Sequence, residues 1–97
     1  VFVLEGECDA WIDGWLHRVT EGEAIAFPAG TGIAHNFINN GAADARLMVI
    51  GQRDVAGNKL YYPRHLHKRA RWGDEWWTDA PQRPLGPHDG FPDRLRR

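Results

Sequence analysis

The first fifty residues are cut into short segments by turn-forming residues, and this spacing constrains the fold more than any other feature. Glu5-Gly6-Glu7, Asp13-Gly14, Thr20-Glu21-Gly22-Glu23, the stretch 28–32 and Asn40-Gly41 are all turn or loop signals. Between them lie runs too short for helices: residues 1–4, 8–12, 15–19, 24–27, 35–39 and 43–50. Asp-Gly and Asn-Gly tolerate the positive φ angles that two-residue hairpin turns require. Pro28, Gly30 and Gly32 cannot sit together in a central strand, so 28–32 is a loop. Short strands at this spacing predict an antiparallel sandwich or barrel. A βαβ fold would need crossover helices, and these gaps leave no room for them.

Alternation assigns faces. In 43–50, Ala43, Ala45, Leu47 and Val49 face one way and Asp44, Arg46, Met48 and Ile50 the other. Both faces turn apolar near the end, which predicts a long strand that is central or covered. In 35–39, His35, Phe37 and Asn39 share a face opposite Asn36 and Ile38. The Asp13-Gly14 turn brings Trp11 and Trp15 near each other on opposite strands, and His17 shares a face with Trp15 and Val19.

Residues 54–97 have a different character and divide from 1–53. The stretch 54–64 is irregular, with Gly57, Asn58 and Pro63; 65–77 predicts a short helix interrupted at Gly73. From Asp79 onward Pro81, Pro84, Gly86, Pro87, Gly90 and Pro92 preclude regular structure. An arm carrying Tyr61, Tyr62, Trp72, Trp76, Trp77, Leu85 and Phe91 is expected to wrap the sandwich or cross to a partner chain.

Charge and composition exclude several classes. The net charge is −1, unevenly spread: three Arg face seven acids in 1–53, and nine Lys or Arg face six acids in 54–97. Nucleic acid is not the expected partner of the basic arm, because Trp72, Trp76 and Trp77 sit beside Asp74, Glu75 and Asp79, which repel phosphate. No apolar run approaches the roughly 20 residues that span a bilayer, so no membrane role is expected. A lone cysteine, Cys8, excludes an internal disulfide scaffold, suits a cytoplasmic setting and is expected in the core. The chain contains no serine, which removes serine-nucleophile hydrolysis. Ninety-seven residues make one small domain with a thin core. The chain opens on the apolar run Val1-Phe2-Val3-Leu4, which reads as the inside of a strand.

One residue stands out chemically. The proline-glycine loop delivers His35 to the first position of a strand, where an imidazole can point into a barrel mouth and ligate a divalent metal. A single histidine is not a site, and core hydrogen bonding is the competing role. His65 and His67 lie in a basic stretch with Arg64, Lys68, Arg69 and Arg71, which disfavours a cation, so both read as surface. His17 reads as structural, and His88 lies in the arm.

The segment from Gly22 to Gly41 resembles the second conserved motif of the cupin superfamily: a glycine, five residues, a proline, any residue and a glycine, then a histidine with an asparagine four later. Gly22, Pro28, Gly30, His35 and Asn39 match in type. Four residues separate Gly30 from His35 where the common pattern has two. Glu5-Gly6 resembles the end of the first motif, and the 15 residues between Gly6 and Gly22 match the short intermotif spacing of small cupins. Tyr61-Tyr62-Pro63 and the stretch 83–90 are similar to one subgroup of small, mostly uncharacterised bacterial cupins. The resemblance implies an all-β, double-stranded β-helix (jelly-roll) barrel, incomplete at its N-terminus, with 54–97 as an irregular aromatic arm.

It further implies that His35 corresponds to the last metal-binding histidine. The family's other ligands, two histidines and a glutamate, precede the position that Gly6 matches, beyond Val1. They are expected in a longer product; the competing reading is a truncated, metal-free cupin. The function so implied is a small molecule bound in the barrel with a divalent metal (Mn, Fe, Ni or Zn), serving an oxidoreductase or isomerase reaction. The alternative is a non-catalytic small-ligand-binding or sensing cupin without metal. The pocket would draw on Phe2, Leu4, Phe27, Phe37, Leu47 and Val49. A homodimer is expected.

Overall fold

The structure, a computed structural model, describes residues 1–51 and 59–95. Five strands form in the first half: β1 (Phe2–Glu5), β2 (Glu7–Ile12), β3 (Trp15–Thr20), β4 (His35–Ile38) and β5 (Arg46–Met48). They make two antiparallel sheets, β1-β5 and β3-β2-β4. The chain changes sheet at Gly6, whose φ of +75° only glycine adopts readily and where a Cβ would stand 2.8 Å from the Asp44 carbonyl. It returns beside β1 at Glu23–Ile25 by hydrogen bonds from Val3 N to Glu23 O (3.0 Å), Gly22 N to Val3 O (2.9 Å) and Ile25 N to Val1 O (2.9 Å).

The expected barrel is corrected here, because neither sheet closes on itself. With two and three strands, the sheets are too narrow to curl into a closed cylinder, and they pack as an open sandwich. The inner faces meet in a core of Val3, Cys8, Ala10 and Val19, with Ile12, Ile25, Phe37, Ala45 and Leu47 against it. The alternation seen in 43–50 puts Ala45 and Leu47 inward, but only Arg46–Met48 pairs as a strand, and Val49 and Ile50 are 72% and 69% exposed. The expected strand at 24–27 is a single bridge between Phe2 and Ala24.

Asp13-Gly14 closes the β2–β3 hairpin with φ angles of 48° and 92°. The register pairs Ile12 with Trp15 and Trp11 with Leu16. The two tryptophans therefore face opposite ways: Trp11 is buried and Trp15 exposed. Asn40-Gly41 does not close a hairpin. It links β4, which pairs with β2, to β5, which pairs with β1, and so carries the chain between sheets.

The helical segment begins with a 3-10 turn at Leu66–Lys68, continues as α1 (Arg69–Trp72) and ends in a second 3-10 turn, Gly73–Glu75. Gly73 stops α1 with a φ of 53°. Beyond it the chain crosses the outer face of β3-β2-β4. Trp11 Nε1 donates to His88 O at 2.8 Å, Asn36 Nδ2 to Gly90 O at 2.9 Å, and Asp93 N to Asn40 Oδ1 at 2.8 Å. This contact is what buries Trp11 on a face that would otherwise meet solvent. Gly57, Asn58 and the last two arginines lie outside the described residues.

Candidate functional site

The hairpin tip organises the site. Asp13 is buried, and its backbone and side chain tie three segments together. Its N–H donates to Ala34 O (2.9 Å), and its Oδ1 accepts from Ala34 N (2.9 Å). Its Oδ2 accepts from Arg83 Nε (2.7 Å), and its carbonyl accepts from Gly86 N (2.6 Å). A buried carboxylate needs such partners, since its desolvation would otherwise favour the neutral acid. Gly14 and Gly86 make the approach possible: a Cβ on Gly86 would stand 2.5 Å from the Gly14 carbonyl oxygen.

The loop before β4 is thereby held in place. Thr31 Oγ1 donates to Pro28 O and accepts from Ile33 N, each at 3.2 Å, which shapes the turn that delivers His35. The His35 imidazole stacks on Phe27, with ring centroids 3.6 Å apart and planes 4° from parallel. Loss of hydration pushes its pKa below the ordinary value, against the opposing pull of the Ile33 carbonyl and the Asp13 charge.

A groove of about 540 Å³ opens between this loop and the arm. Phe27, His35, Tyr61, Tyr62, Trp77 and Phe91 contribute rings to it, and Lys59, Arg64 and Lys68 bring positive charge. Lys68 Nζ sits 4.6 Å from the centre of the Tyr62 ring. The Arg64 guanidinium donates to Gly86 O, and Lys59 Nζ to Asp74 O at 2.6 Å. The volume falls within the range of roughly 300–1,000 Å³ typical of small-molecule sites.

The expectation of a bound divalent metal is overturned. Among the described residues no three His, Cys, Asp or Glu side chains are grouped to hold an ion. The local reason is visible at His35: Phe27 covers its ring, Ile12 is its cross-strand neighbour, and the nearby Asp13 spends both carboxylate oxygens on Ala34 and Arg83. Among the described residues a metal-dependent oxidoreductase or isomerase reaction therefore has no ligand set.

Of the expected pocket residues, only Phe27 lines the groove. Phe37 and Leu47 pack against the core, and Phe2, Leu4 and Val49 are exposed. Cys8 is buried, and burial raises its thiol pKa, as a core cysteine requires. Sequence reasoning placed His65 on the surface, yet it lines the groove and meets Phe91 edge to face at 5.3 Å. In the sequence Arg64 and Lys68 belong to a basic stretch and Asp13 to a turn. The signal that points to Arg64 and Lys68 is the interleaving of rings and cations over 61–68, and nothing comparable in the sequence points to Asp13.

Residues 1–51, spanning β1 to β5, match the cupin domain family, and the chain belongs to it. Comparison with curated proteins and with solved structures finds no match. Among the described residues no helix is long and apolar enough to cross a membrane.

Proposed function

We propose that this cupin binds a small molecule without a metal and without transforming it, in the groove between the 28–34 loop and the arm. The observation that carries the reading is the roughly 540 Å³ groove in which the motif histidine, His35, stacks on Phe27 as one aromatic wall. Pockets that hold small ligands are lined mainly by apolar and aromatic groups with a few placed polar ones, and this groove has that composition. In this reading residues 1–53 supply the scaffold and one wall, and 54–97 supply the other. Tyr61-Tyr62-Pro63 and the stretch 83–90 support placement with the small single-domain bacterial cupins.

The test is a fragment titration followed by NMR. Binders should shift the signals of His35, Phe27 and Tyr62 together, and His35→Ala should weaken them. If no fragment perturbs these residues, the binding reading fails. Conversion of a bound compound to product would overturn the non-catalytic part. Stoichiometric retention of Mn, Fe, Ni or Zn after dialysis would overturn the metal-free part.

A further inference from the structure

We infer that the groove's ligand is a flat aromatic ring bearing a carboxylate; this rests on the groove being the ligand site. Two features of one cavity support it. The first is charge. Lys59, Arg64 and Lys68 line the groove against a single acid, Asp89, and both lining histidines, His35 and His65, are displaced toward their neutral forms by lost hydration. The lining is thus net positive, three cations against one acid, on a chain whose total charge is −1. A cationic ligand would be repelled, and a neutral one would leave that charge unanswered.

The second feature is shape and ring chemistry. The groove lies between aromatic side chains on both sides, Phe27 and His35 from the loop and Tyr61, Tyr62 and Trp77 from the arm. Stacked and edge-to-face ring pairs already occur in and beside it: Phe27 on His35 at 3.6 Å, Phe27 against Phe37 at 6.2 Å, and His65 against Phe91 at 5.3 Å. Such walls favour a flat π-system over a puckered or branched aliphatic one. Lys68 joins the two features, since its ammonium lies 4.6 Å from the Tyr62 ring centre. A ligand ring beside Tyr62 would place its carboxylate within reach of that ammonium. Lys59 and Arg64 are anchored by backbone carbonyls and so hold their charge at the rim.

The probe is 2-naphthoate, compared by fluorescence titration with its neutral isostere 2-naphthamide and with cyclohexanecarboxylate. The expected order is naphthoate first, by about tenfold or more over each of the others, the scale set by one charge-assisted contact or one ring stack. Lys68→Gln should bring naphthoate close to naphthamide while leaving naphthamide unchanged. Arg46→Gln, on exposed β5 outside the groove, should change neither. Equal or tighter binding of naphthamide overturns the charge assignment and leaves the groove as a binding site. Equal binding of cyclohexanecarboxylate overturns the ring assignment alone. Absence of binding by all three, with His35 and Tyr62 NMR signals unmoved, overturns this inference. If the wider fragment titration is also silent, the binding reading fails with it.

Discussion

Gly86→Ala separates packing from backbone freedom at the point where the arm meets the hairpin. Gly86 is buried but does not have a positive φ, so alanine costs nothing in local conformation there. Lower entropy of the unfolded chain alone would then stabilise the variant by about 0.4–1 kcal/mol. The structure demands the opposite sign. The new Cβ would stand 2.5 Å from Gly14 O and 2.6 Å from Trp15 Cε2; Gly14 O and the Gly14 carbonyl carbon, at 2.7 Å, are backbone and cannot rotate away. Arm and hairpin must separate, at roughly 1–3 kcal/mol for overpacking. Separation strains the hydrogen bonds from Gly86 N to Asp13 O (2.6 Å) and from His88 N to Gly14 O (3.0 Å). Each contributes roughly 0.5–1.5 kcal/mol. The expected net loss is about 2–4 kcal/mol, read as a lower urea midpoint by tryptophan fluorescence. Limited proteolysis should show the arm cut early. Gly22→Ala is the matched comparison: φ is +85° with nothing within 4 Å, so its cost is backbone strain alone and the arm stays protected. A raised urea midpoint for Gly86→Ala, or an arm that stays protease-resistant, would refute the reasoning.

Three other outcomes are expected. His35 has a folded pKa below its ordinary 6.5, so its contribution to stability is full above that value and is lost as pH falls toward the folded pKa. His65 is shifted the same way, so His35→Gln should flatten, not abolish, the fall in urea midpoint below about pH 6.5; parallel slopes would contradict the assignment. Asp13→Asn keeps the turn's shape but removes the charge facing Arg83, for a loss of roughly 1.5–3 kcal/mol. A double-mutant cycle with Arg83→Gln should return a clear coupling, and zero coupling would deny the pair its role. Phe2, Leu4 and Met48 are exposed apolar side chains on β1-β5, in keeping with a homodimer; sedimentation at tens of micromolar should give twice the 11.0 kDa chain mass, and a monomer would refute it.

What was legible in the sequence was local. Asp13-Gly14 marks a hairpin because the turn's dihedrals depend on those two residues alone, and Gly73 interrupts the helical segment for the same reason. Which sheet a strand joins is not local. Asn40-Gly41 permits a tight turn, yet β4 and β5 part company because their partners lie more than twenty residues upstream. The opposed faces of Trp11 and Trp15 follow from a register that one residue of slippage would invert. The motif histidine could be picked out, but its environment could not. Phe27 lies eight residues before it, and the opposite wall comes from 59–68, which periodicity does not connect to β4. The Gly14–Gly86 contact spans most of the chain, and only a three-dimensional arrangement reveals it.

The attachment of the arm through Asp13 and Gly86 makes the groove a product of docking rather than of either half. On the proposed reading, a lifted arm would leave the groove with one wall. Observed binding would then be weaker than intrinsic binding by the fraction of molecules in which the arm is seated. The reverse would also hold: an occupant would favour the closed clasp, slow hydrogen exchange at Gly86 and His88, and turn ligand concentration into a measure of arm opening.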